Sequence, residues 1–219
     1  MSRANFDLPL VGIRPWKFPE NERAAAQAIN TALGMLGRYL ARFDGAVRLF
    51  LGCQSLQIAL PFLDPNRALY AEWKFIAARD GAMTIHHIRR TIELINANVG
   101  NAPTLAKLVS EPEMKRANRL AGANFRSSAK VRHGTAHSAE FALRGKTVIS
   151  GAKAPGHVSL GMGAAYIAGE SIIEDVFSTT IENEIVSYKI NESTLRDLVE
   201  IVLAVKRAYA PAMQYSIHT

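Results

Sequence analysis

The chain has 219 residues, 48% hydrophobic and 21% charged. That suits a single domain (1–219) able to bury a sizeable core, and it excludes general disorder. Lys and Arg total 26 against 19 Asp and Glu, a formal net charge of +7, which favours a polyanionic partner such as nucleic acid, or an anionic membrane surface. Cys53 is the only cysteine, which excludes an intrachain disulfide and a thiolate-rich metal site. Within the apolar run Leu49–Leu63 it reads as a buried, inert thiol.

Residues 1–18 read as an irregular arm, broken by Pro9, Gly12 and Pro15 and lacking a signal-peptide core. From Pro19 the pattern becomes helical, with Ile29, Leu33, Leu36, Leu40 and Phe43 at spacings of three and four. Gly45 is expected to end this helix. A second helix is expected from Ala46 to about Leu60, stopped by Pro61 and the Asp64–Pro65–Asn66 turn. The run Leu49–Leu63 is shorter than the ~20 residues that span a bilayer, so no membrane association and a cytoplasmic location are expected.

A long third helix is expected from Asn66 to about Ala97, its inward stripe reading Leu69, Trp73, Ile76, Asp80, Met83, His87 and Leu94. Asp80 on an otherwise apolar face needs a partner. It serves either as a structural hydrogen bond fixing register or as the orienting group of a catalytic residue. Gly100–Pro103 is a turn, and Ser110-Glu111-Pro112-Glu113 has the pattern of a capping box opening a helix to Asn124. Ser127 or Ser128 starts another, running to about Leu143.

Glycines punctuate residues 145–170. Two strand-like runs follow, Ser171–Ile181 and Glu184–Ile190, with Glu182–Asn183 as a tight turn. A last helix is expected over about 193–210, ended by Pro211. The expected fold is mainly α: a helical bundle over 19–143, a small antiparallel hairpin or sheet inserted over 145–192, and the C-terminal helix, α+β overall.

No acidic residue stands between Glu113 and Glu140, whereas Lys115, Arg116, Arg119, Arg126, Lys130 and Arg132 are basic. This block reads either as a phosphate-binding surface or as a solvated face neutralised by acids from elsewhere. Inside it lies Arg132-His133-Gly134-Thr135-Ala136-His137. On a helix the two histidines share a face, with Arg132 beside them. Imidazole moves protons near neutrality and guanidinium clamps phosphate, which suits phosphodiester cleavage by a ribose hydroxyl with no metal.

Arg132, a polar residue at His133, three further positions and His137 resemble the R-polar-x-x-x-H signature of the HEPN superfamily. The resemblance implies a HEPN-like bundle over roughly 20–143, RNA as partner and a homodimer with the motifs meeting across it. It also implies either metal-independent endoribonuclease activity of a defence or toxin type, or a non-catalytic binding module. The site it implies is Arg132, His133 and His137, with Asp80 in support and no cofactor. Two other readings stay open. The histidines are metal ligands of a hydrolase, completed from Asp80, His87, Glu140 or His157, or they are buried struts of an interaction module with a protein partner.

Overall fold

A computed structural model describes residues 12–136, 170–181 and 184–215. The described chain is mainly helical. Its helices are α1 (Arg23–Ala59), α2 (Asn66–Val99), α3 (Pro103–Ala106), α4 (Glu111–Asn124), α5 (Ser128–Ala136) and α6 (Glu192–Gln214). A three-stranded antiparallel sheet of β1 (Glu170–Ile173), β2 (Val176–Ile181) and β3 (Glu184–Lys189) precedes α6, in the order β1-β2-β3. Among the described residues no helix is long and apolar enough to cross a membrane.

The chain divides into two compact units. One takes the described residues of Met1–Arg42, His87–Asn124 and Leu195–Thr219, the other those of Phe43–His86 and Phe125–Thr194. In the first, the expected stripe of α1 is buried at Ile29, Leu33, Leu36 and Leu40. Ile88, Ile92 and Ile95 of α2, Ala117 of α4 and Leu198, Val202, Val205 and Tyr209 of α6 are buried with it. Each set recurs at helical spacing, so every helix commits one face to the core. Glu22 is buried, and its carboxylate accepts from the Thr104 N–H (2.9 Å) and hydroxyl (2.8 Å), tying down the start of α3.

The second unit is built on the later half of α1 and the earlier half of α2. Lys74 Nζ donates to Gln57 Oε1 (3.0 Å) and lies 5.6 Å from the Phe50 ring, while Arg67 Nη1 donates to the Leu60 carbonyl (2.8 Å). These contacts set the two helices antiparallel and side by side. One face of the sheet carries Phe177, Thr179 and Val186, all buried, and Tyr188, whose ring meets Phe177 edge-on at 5.8 Å.

Four expectations need correction. Gly45 does not end a helix: α1 runs unbroken for 37 residues. The ~1 kcal/mol that a helical glycine costs is outweighed by Ala46, Val47, Phe50 and Cys53, buried at helical spacing beyond it. The inward stripe of α2 is not the one with the largest side chains. Leu69, Trp73, Ile76 and Leu94 are exposed, Asp80 and His87 are half-buried, and the buried face is Ala78, Ala82, Ile85, Ile88, Ile92 and Ile95. The run Ser171–Ile181 is two strands, folded back at Glu174–Asp175 so that Ile173 pairs with Val176. Glu174 takes a positive φ of 54°, which no local sequence signature announces. Pro211 lies inside α6 and does not end it, because Ala212 beyond it is still buried. The expected Glu182–Asn183 turn and the helix beyond Ala136 lie outside the described residues.

Candidate functional site

Helix α5 packs on β2 and β3. Ser128, Val131 and Gly134 form its buried face. Gly134 is there because nothing larger fits: a Cβ would stand 2.6 Å from Thr179 Cγ2 and 2.7 Å from its Oγ1. That close approach fixes the rotation of α5, and so fixes where its other side chains stand. His133 is exposed, and so are Arg126 and Lys130. Arg132 lies half-buried on the flank, its Nε shielded from solvent with no hydrogen-bond acceptor among the described residues. The Thr135 hydroxyl donates back to the Val131 carbonyl (2.9 Å), closing the turn that holds Arg132 and His133.

His137, Glu140 and His157 lie outside the described residues. Asp80 sits on α2 of the same unit as α5, and its charge acts on the Tyr188 hydroxyl. That hydroxyl donates to the Ala78 carbonyl of α2. Burial, reinforced by the Asp80 carboxylate and partly offset by a backbone hydrogen bond from Ala82, pushes Tyr188 far above the usual phenol range. Room for the phenol comes from Gly81, where a Cβ would lie 2.5 Å from the Tyr188 oxygen and 3.3 Å from the Phe43 ring.

The basic block is shared between the two units. Lys115, Arg116 and Arg119 lie on α4 in the first unit, and Arg126, Lys130 and Arg132 lie in the second. Acids from elsewhere neutralise part of it. Lys115 pairs with Glu111 (2.6 Å), Arg116 with Glu200 (3.7 Å) and Lys130 with Glu184 (2.5 Å). Among the described residues Arg119 is exposed without such a partner. The hydrogen bond from Lys115 holds the Glu111 carboxyl below its ordinary range.

Sequence reasoning missed a polar layer under α5. In the sheet register Glu170 faces Thr179, and the Glu170 side chain is 4% exposed. Arg79 binds its Oε2 at 2.5 Å, and Oε1 and the Thr179 hydroxyl are buried without partners. The mid-helix glycines Gly81 and Gly134 were the available signal, because both mark places where another element comes close.

Among the described residues no group of three His, Cys, Asp or Glu side chains could hold a metal ion. Cys53 is buried, and burial pushes its thiol up, against a smaller opposing pull from Lys74. No family model, curated protein or solved structure matches the chain.

Proposed function

We propose that the chain is a HEPN-like RNA-binding protein that cleaves RNA without a metal ion. Arg132 clamps the scissile phosphate, and His137 moves the proton between the ribose hydroxyl and the leaving oxygen. His133 supports them from α5. The observation that carries this reading is the state of Arg132: a half-buried side chain whose Nε is shielded from solvent and meets no acceptor among the described residues, one residue from an exposed imidazole. A shielded N–H that meets no acceptor is costly at rest and well prepared for an anion. The exposure of His133 favours this reading over one in which that imidazole is a buried strut.

The test is cleavage of an RNA pool by protein freed of metal with EDTA. Arg132→Ala and His137→Ala should each lower the rate by a factor on the order of 100 or more. Melting curves should stay close to wild type for Arg132→Ala, whose Nε has no hydrogen bond to lose among the described residues. Cleavage surviving both substitutions rejects the assignment.

A further inference from the structure

Among the described residues, the second unit carries an apolar face that its own packing does not use. On α1, Gly45, Leu49, Gly52 and Leu56 follow one another at spacings of four, three and four; on α2, Leu69, Trp73 and Ile76 do so at four and three. This is the repeat of a helix face that meets other helices. Phe50 and Gln57, which meet Lys74 of α2, lie one residue further along than Leu49 and Leu56. Lys74 itself is one residue beyond Trp73. In an antiparallel pair, one step back along each helix turns both to the same side, so the two stripes form one surface.

Each large residue on that surface is open. Leu49 is 42% exposed, Leu56 48%, Leu69 45%, Trp73 40% and Ile76 55%, and at the hairpin tip Phe62 and Leu63 reach 85% and 89%. Side chains of these sizes leave roughly 450 Å² of apolar surface on the stripes and roughly 300 Å² at the tip, more than the ~300–600 Å² patch usual on a monomer and close to the ~800 Å² per partner of a stable interface.

We propose that this face docks a second copy of the chain, hairpin against hairpin. One chain carries both halves of such a contact, as a twofold interface requires. Trp73, steadied edge-on by Tyr70 at 5.8 Å, is the knob. Gly45 and Gly52, with nothing within 4 Å of where a Cβ would sit, leave hollows on either side of Leu49. Between Gly45 and Leu56, and between Leu69 and Ile76, no stripe position is charged. A charge-free centre with an aromatic anchor suits a protein interface; the cations at its edge are engaged, Arg48 by Asp44 and Arg67 by the Phe62 ring. The face carries no residue of α5, so the inference goes beyond the proposed function and stands without it.

Sedimentation equilibrium of the full chain, from about 1 to about 100 µM, tests it. Wild type should show the mass of two chains, dissociating on dilution. The double variant Trp73→Glu, Leu56→Glu should associate at least about tenfold more weakly while keeping its helical circular dichroism. Gly52→Leu fills a hollow that is open in the single chain; it should also weaken association without loss of fold, and it decides the matter if the double variant unfolds. A single-chain mass throughout the range overturns the proposal, as does a two-chain mass unchanged in the folded variants. The readout is mass, so failure of RNA cleavage has no bearing on it.

Discussion

Gly81 and Tyr188 are matched to each other, since the phenol oxygen occupies the space that a Cβ at position 81 would take. Gly81→Ala gains up to ~1 kcal/mol of helix propensity but forces the buried ring to move, which costs about 1–3 kcal/mol. We expect a net loss in urea unfolding. Tyr188→Phe alone should cost about 1 kcal/mol for the lost hydrogen bond. In the double variant the glycine substitution should be cheaper than in wild type, because the oxygen it strikes is gone. Strict additivity of the two changes would argue against the contact.

The same phenol sets behaviour in alkali, together with Tyr209, which burial pushes up to about 12. Both groups bind their protons more tightly folded than unfolded. Their contribution is therefore whole below the ordinary phenol value near 10 and is lost as pH rises through the folded values. Cys53, also pushed up by burial, acts in the same sense from a lower pH. Lys74 and Lys206, pushed down by burial, act oppositely: their cost at neutral pH eases as pH rises towards the ordinary lysine value. Of the six tyrosines, Tyr188 and Tyr209 should ionise only as the helical signal collapses above about pH 10. Full tyrosinate absorbance while the protein is still folded would contradict this.

Among the elements, the expected breaks within α1 and α6 were the least legible from sequence. Local signals at Gly45 and Pro211 point to breaks, yet α1 and α6 run through both because buried residues continue on the far side. The stripe of α2 misled for a related reason. Size and hydrophobicity favour Leu69, Trp73 and Ile76, whereas the core selects the small face of Ala77, Ala78 and Ala82, which lets neighbouring backbone and Tyr188 come close. Helix α3 depends on a partner no local pattern reveals. Glu22→Ala would leave the part-buried Thr104 N–H without its acceptor, at about 1 kcal/mol, and Glu22→Gln should recover part of the loss. Equal urea midpoints for wild type and Glu22→Ala would show that this cap does not hold the helix.

At the scale of the whole molecule, the mainly helical class and the sheet before the last helix were readable from periodicity and turn residues alone. The division into two units was not, because α1 and α2 each supply residues to both. Part of the candidate site was legible. Arg132 and His133 stand out as a motif, and both lie on one short helix, Arg132 with an Nε that has no partner among the described residues. Its surroundings were hidden because charge partners are distant in sequence: Glu184 reaches Lys130 from β3 and Glu170 reaches Arg79 from β1. Within the apparent basic block, Lys115, Arg116 and Lys130 are paired with acids. The proposed reaction needs only Arg132, a proton carrier and the substrate's own 2′-hydroxyl.

The products of that reaction test the account most directly. Wild-type protein in EDTA should cut an RNA oligonucleotide to fragments ending in 2′,3′-cyclic phosphate, and should leave intact any bond whose preceding ribose is replaced by deoxyribose. Uncut RNA, cleavage that requires a divalent metal, or products ending in a 3′-hydroxyl would each contradict it.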